Sequence, residues 1–206
     1  MALDGTYTGL LASIAGLLHR SDLTASIPDF VVLVEARIAR DLRVRRQITT
    51  LVLNTVASVP YVTLPADYLE LENLSISSGG VEANMPYVNI EYMNTRYPEG
   101  GGNGVPRVYT LETNQVLLGP VPDGVYPVTT LYYARFSPLA TTPTNWLLTN
   151  HPDVYLFGAL ADAADFIDSE KLAQKWEAKY TRAVKLLQNA DDKAMFSGTS
   201  LRVRMI

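Results

Sequence analysis

The chain contains no cysteine and only two histidines, His19 and His151. Without thiols there is no disulfide, no thiolate nucleophile and no zinc–thiolate centre to expect. Neither histidine has a second histidine at ligand spacing, so the sequence offers no imidazole metal motif, and no metal or cofactor is expected. Charge is scarce as well. Asp, Glu, Lys and Arg together make up 18% of the 206 residues, against about 25% in an ordinary globular domain. So little charge reads either as neutral surface destined for partners or as a larger core. The net charge of −4 leaves out the basic excess that supplies most of the affinity of a duplex-binding protein. No apolar run approaches the roughly 20 residues of a membrane span, so no membrane partner is expected. The opening residues Met1-Ala2-Leu3-Asp4-Gly5 carry no basic stretch, and the apolar residues that follow are broken by Ser13, Gly16 and His19. A signal peptide is not expected there.

What is present is a pattern that changes period twice. Residues 6–20 repeat at helical spacing, with Tyr7, Leu10, Leu11, Ile14, Leu17 and Leu18 on one side. A second helix is predicted from about Pro28 to Arg43. Pro28 suits a first turn and Asp29 the positive end of the helix dipole. Its apolar stripe is Ile27, Phe30, Val31, Val34, Ile38 and Leu42. From Gln47 the period drops to two. Short strands are predicted at 48–53, 61–64 and 71–77, then at 107–111, 115–119 and 128–133, with a short helix near 89–96 between the two sets. Pro122-Asp123-Gly124 reads as a turn. After Pro143 helical spacing returns. Pro152 and Asp153 open a helix with Asn150 or His151 as its cap, and residues 154–167 are apolar nearly all round, as in a central helix. Asp168 and Ser169 offer a cap for a last helix whose stripe is Leu172, Trp176, Tyr180, Ala183, Leu187 and Ala190, broken at Gly198.

The terminal helices must bury their stripes, and each is the nearest candidate partner of the other. The expected fold class is α+β: an antiparallel helical bundle core of about four helices, with a small inserted β subdomain and an extended C-terminal tail. The expected division is residues 1–46 for the N-terminal helix pair, 47–140 for the β-rich insertion with its glycine-rich loop, 141–196 for the helices that complete the bundle, and 197–206 for the arm.

Chemistry is harder to find. His19 at a helix end and His151 before a proline suit capping. No serine sits in a nucleophile-elbow frame. Three groups of carboxylates lie close in sequence: Asp67 with Glu70, Glu70 with Glu72, and Asp191 with Asp192. A pair of carboxylates suffices for glycoside hydrolysis, but exposed charge is the common state of such residues. Gly100, Gly101, Gly102, Asn103 and Gly104 form a loop with no Lys-Ser/Thr after it, so it reads as a contact loop and not as a phosphate cradle.

Arg37, Arg40, Arg43, Arg45 and Arg46 fall within ten residues. They read either as an exposed helix face balanced by Glu35 and Asp41, or as an interface to a neighbouring subunit or to passing DNA. No aromatics interleave with them, which argues against a single-strand groove. At the C-terminus, Leu201-Arg202-Val203-Arg204-Met205-Ile206 alternates apolar and basic residues. An extended segment of that kind buries one side against a partner or frays.

Three stretches then stand together: Leu64-Pro65-Ala66-Asp67-Tyr68-Leu69-Glu70; Gly119-Pro120-Val121-Pro122-Asp123; and the run from Asn145-Trp146-Leu147-Leu148-Thr149-Asn150-His151-Pro152-Asp153 through Leu160, followed by Trp176 and Tyr180. With Ile27-Pro28-Asp29-Phe30 in the N-terminal helix pair, they resemble the head-to-tail adaptor, or connector, proteins of tailed bacteriophages, of the podovirus and siphovirus type. The likeness covers nearly the whole chain. It implies a structural protein without enzymatic activity. It implies a ring of about twelve subunits beneath the portal protein, at the head–tail junction of the virion, assembled in the host cytoplasm. Partners would be the portal, neighbouring adaptor subunits and the next tail or nozzle protein. DNA would pass through the ring during packaging and ejection without sequence readout. The portal-binding arm would be Leu201, Arg202, Val203, Arg204, Met205 and Ile206. The β insertion and its loop would meet neighbours or the tail. Two other readings remain open at this stage. One is a tail-associated peptidoglycan hydrolase, for which Asp67, Glu70 and Glu72 would be the first residues to test. The other is an oligomeric scaffold unrelated to phage.

Overall fold

The computed structural model describes residues 3–98 and 102–196. In chain order the elements are α1 (Tyr7–Leu18), α2 (Ile27–Asp41), β1 (Ile48–Asn54), β2 (Tyr61–Thr63), β3 (Tyr68–Ser78), β4 (Val81–Asn84), α3 (Ile90–Arg96), β5 (Val108–Glu112), β6 (Gln115–Gly119), β7 (Pro127–Ala134), α4 (Trp146–Asn150), α5 (Pro152–Phe166) and α6 (Glu170–Phe196). A single 3-10 turn, Arg45–Gln47, precedes β1. The described residues are thus mixed α+β, with six helices and two antiparallel sheets. They divide into two compact units, one formed by the described residues up to 45 and from 136 onward, the other by those between 46 and 135.

The first unit is helical. α1 starts where Thr6 accepts the Gly9 N–H at 3.1 Å and ends at His19, whose left-handed φ of 51° closes the helix. α2 carries Pro28 in its first turn with Asp29 beside it, as expected, but its cap residue Ser26 makes no side-chain bond. α5 is the hub. Val154, Tyr155, Leu156, Ala159 and Leu160 are buried on several sides of it, because α1, α2, α4 and α6 all pack on it. Small residues make that possible. Gly158 lies so close to α2 that a Cβ there would sit 2.1 Å from Val34 Cγ2. The core joins Leu10 and Ile14 of α1, Phe30, Val31, Val34 and Ile38 of α2, and Tyr180, Val184 and Leu187 of α6. Each such aliphatic or aromatic side chain contributes about 1.5–3 kcal/mol on full burial.

The short α4 is a helix that the sequence reading merged with the return to helical spacing. It forms because Asn145 caps it, accepting the Leu148 N–H at 2.8 Å, while the Asn145 amide donates to the Tyr155 hydroxyl at 2.8 Å. His151 then occupies the cap position of α5 without a side-chain bond to it. The His151 ring instead packs edge-on to Trp146 at 5.4 Å. Along α6 the predicted stripe is buried at its centre, at Tyr180 and Leu187, and exposed at Leu172 and Ala190.

The second unit holds two sheets, of order β1-β7-β3-β4 and β2-β6-β5, each antiparallel throughout. One core serves both. Leu74 and Ile76 of β3 and Val128 of β7 share it with Val62 of β2 and with Val116 and Leu118 of β6. Alternation supplies those inward residues: Val128, Thr130 and Tyr132 are buried along β7 while their neighbours are less so. β3 shifts register twice against β7, between Tyr68 and Glu70 and between Leu71 and Asn73. Such bulges bend a strand. The predicted turn at Pro122-Asp123-Gly124 is a bend instead. The Pro122 carbonyl accepts the Ser58 N–H at 2.8 Å, and Asp123 accepts the Tyr126 hydroxyl at 2.6 Å.

Candidate interaction surfaces

The arginine cluster splits by partner. Arg37 leaves α2 on the side facing α5 and α6. Its Nη1 donates to Asp162 Oδ1 at 3.0 Å, and its Nη2 to Glu177 Oε1 and Oε2 at 2.7 and 2.6 Å. The guanidinium also lies 4.2 Å from the centre of the Tyr180 ring, whose hydroxyl donates to Asp41 Oδ2 at 3.1 Å. Planar guanidinium suits this combined stacking and forked pairing. The balance predicted within α2 is therefore replaced. Asp41 takes the Tyr180 hydroxyl, and Glu35 takes the Leu139 N–H at 2.7 Å. Burial pushes the Glu35 carboxyl above its ordinary range, against the pull of the Leu139 N–H. Burial also pushes Asp162 up, against the opposing charge of Arg37, and its Oδ2 is buried without a partner.

The next arginines turn back on the chain. Arg43 Nη1 donates to the carbonyls of Ala39 and Leu42, both at 2.8 Å, and Gln188 Nε2 donates to the Asp41 carbonyl at 2.8 Å. Together they take up the Ala39 and Asp41 carbonyls at the end of α2 and that of its cap, Leu42. Arg45 grips Asp191 by backbone and side chain: its N–H meets Oδ2 at 2.9 Å and its Nε meets Oδ1 at 3.1 Å. Arg40 and Arg46 are exposed. Asp162, Glu177, Tyr180 and Asp191 were not singled out as arginine partners in the sequence. A signal existed for one of them. Asp162 is a carboxylate inside a helix otherwise almost wholly apolar, where a charge is held only with a counterion.

Of the glycine loop, Gly100 and Gly101 lie outside the described residues. Gly102 and Asn103 are exposed. Asn103 bridges to Val121 and donates to Ser58 Oγ at 3.3 Å, while the Gly104 N–H donates to the Val121 carbonyl at 2.8 Å. The C-terminal half of the loop is thus tied to the segment before β7. The predicted arm, Leu201, Arg202, Val203, Arg204, Met205 and Ile206, lies outside the described residues, as does the predicted helix break at Gly198.

The carboxylates behave as surface groups. Asp67, Glu70 and Glu72 are exposed, and Asp67 accepts the Tyr132 hydroxyl at 3.2 Å. Glu72 falls within the second register shift of β3, so the regular alternation that would align it with Glu70 is interrupted. General acid catalysis relies on a carboxyl shielded from water. Asp191 is committed to Arg45. Among the described residues no three His, Asp or Glu side chains converge as metal ligands, and no helix is long and apolar enough to cross a membrane.

What the described residues present is a helical hub in which Arg37 ties α2 to α5 and α6. A model of the SU10 adaptor protein family matches residues 5–204. The chain belongs to the SU10 adaptor protein family. No curated protein matches it. Membership agrees with the likeness to phage head-to-tail adaptors carried by Leu64–Glu70, Gly119–Asp123 and Asn145–Leu160, and makes this SU10-family chain a structural protein of virion assembly. The match extends past the last described residue and takes in most of the predicted arm.

Proposed function

We propose that this SU10-family chain assembles as a ring beneath the portal of a tailed phage, of podovirus or siphovirus type, and links it to the tail. The family match over residues 5–204 carries this reading. The helical unit would form the body of the ring, with α1, α2, α5 and α6 as a four-helix core and the ring count near twelve. Four segments divide the work: 1–46 and 141–196 for the core, 47–140 for the β-rich insertion, and 197–206 for the arm. The insertion, with Gly100, Gly101, Gly102, Asn103 and Gly104, meets neighbouring subunits or the next tail protein. Arg40 and Arg46, exposed members of the cluster, turn toward a neighbour or the DNA channel. Arg37 and Arg43 hold α2 in place, and Arg45, also exposed, ties the chain after α2 to Asp191 on α6. DNA passes during packaging and ejection without base readout, consistent with a net charge of −4. The chain joins the head–tail junction from the host cytoplasm.

The arm at Leu201–Ile206 grips the portal by laying its apolar side chains, Leu201, Val203 and Met205, against it. Deleting residues 199–206 tests this directly. The truncated chain should keep its helical circular dichroism and melting temperature and lose co-sedimentation with the cognate portal. Unchanged docking of the truncated chain would exclude the arm as the grip.

A further inference from the structure

We propose that adjacent copies of this chain join through two different faces of the helical unit, an acid-rimmed apolar face at α2 and α5 and a basic face along α6. The inference rests on the ring reading and names the surface that makes the ring.

The first face begins with an anomaly in α2. Its core stripe is buried, yet the outer side, beside Asp29 and Arg40, also exposes apolar side chains: Val32 is 57% exposed and Leu33 53% exposed, with Ala36 exposed one turn on. Beside it stands Phe166, at the end of α5, 65% exposed. The Phe166 ring meets the edge of buried Phe30 at 5.6 Å. Phe30 and Leu33 lie one turn apart on the same side of α2, so Phe166 and Leu33 extend one apolar surface. Its surroundings are mainly acidic, with Arg40 and Lys171 the exposed bases near it. Asp29 is exposed in the first turn of α2, and Asp165, Asp168 and Glu170 are exposed around the junction of α5 and α6. Asp162, Asp165, Asp168, Glu170 and Glu177 line an open groove of about 500 Å3 there.

The second face lies along α6. Ala178, Arg182 and Lys185 project opposite the buried Tyr180 and Leu187. Thr181 and Leu186, the latter 57% exposed, flank them. This surface is basic at its centre, with the exposed Leu186 along one edge. Glu177, the nearby carboxylate, is already held by Arg37.

The charges choose the mode of association. If the first face met its own copy across a two-fold axis, Asp165, Asp168 and Glu170 would confront themselves. If the second met its own copy, Arg182 and Lys185 would do so. Only the unlike pairing brings acid to base while covering Leu33, Phe166 and Leu186. A contact between two different patches of one subunit is heterologous, and its repetition closes a ring or extends a filament.

The absence of cysteine gives a clean test. Full-length chains carrying Leu33→Cys or Leu186→Cys are oxidised alone and as a mixture. The mixed disulfide should exceed either self-adduct by about tenfold, and a chain carrying both cysteines should give a ladder. Asp165→Lys with Asp168→Lys, and separately Arg182→Glu with Lys185→Glu, introduced into the two-cysteine chain, should each lose the ladder. Mixing the two reversed chains should restore it. Self-adducts that equal or outnumber the mixed one, or no adduct above that of a control pair at Thr8 and Thr149, would overturn the inference. Rings on the portal without the Leu33–Leu186 link would overturn it while leaving the adaptor reading in place. The link without portal docking would do the reverse.

Discussion

Gly158→Ala tests the close packing of α2 on α5. The added methyl would lie 2.1 Å from Val34 Cγ2 and 3.2 Å from Tyr180 Cδ2. Ordinary carbon–carbon contact is near 3.5–4.0 Å, so the helices must separate by more than an ångström or Val34 must change rotamer. Val34 is fully buried, and a β-branched side chain in a helix has one strongly preferred rotamer. Overpacking a dense core costs about 1–3 kcal/mol, and an overlap this deep belongs at the upper end. Alanine returns about 1 kcal/mol through helix propensity. The expected net loss is about 2 kcal/mol. Both tryptophans of the chain, Trp146 and Trp176, lie in the helical unit, so tryptophan fluorescence during urea or thermal unfolding reads that unit alone. The melting temperature should fall by about 3–6 °C per kcal/mol. Val34→Ala alone should cost about 2 kcal/mol through the cavity it leaves. In the double variant the alanine methyl takes the vacated space, so the combined loss should fall short of the sum by about 2 kcal/mol. A Gly158→Ala chain as stable as the parent or more so, or strict additivity with Val34→Ala, would refute the packing described for this contact.

Arg37→Ala should destabilise the helical unit by about 2–3 kcal/mol, because it leaves the shielded Asp162 carboxylate without its counterion; Arg37→Lys should recover only part of that, since an ammonium cannot reproduce the fork. Equal stability of the alanine variant by urea unfolding would exclude the network as a lock. Glu35→Gln tests the desolvated carboxyl beneath Leu139. A folded-state pKa above the unfolded 4.5 means that Glu35 favours the fold fully below that pH, and that this contribution is lost as pH rises through the folded value. The glutamine oxygen can still accept the Leu139 N–H. The variant should therefore gain on the parent as pH rises from about 4 to 7, seen as a growing difference in melting temperature. A difference that shrinks over the same range would contradict the burial of that charge.

The local features were legible because short-range chemistry dictates them. Pro28 and Asp29 mark the start of α2, and period-two runs of Thr, Val and Tyr mark the strands. β4 was missed because Val81–Asn84 is exposed at every position, so burial leaves no alternation to read. The division of strands between two sheets was also hidden, since β1 pairs with β7, some 80 residues away along the chain. The same distance hid the arginines' partners. Arg37 looked solvent-facing on a helical wheel of α2, but Asp162 and Glu177 arrive from α5 and α6 to cover it. Among the described residues, the surfaces proposed for partner contact were legible only as composition, through the scarcity of charge. Which exposed apolar side chains form a continuous face depends on how α2 and α5 meet, and no local pattern encodes that.

The most direct test of the adaptor reading is electron microscopy of the full-length chain mixed with its cognate portal. A ring of this chain seated on the portal ring, with density from residues 199–206 reaching the portal wall, is the predicted result. Portal rings that remain bare at saturating concentrations of the chain would contradict it.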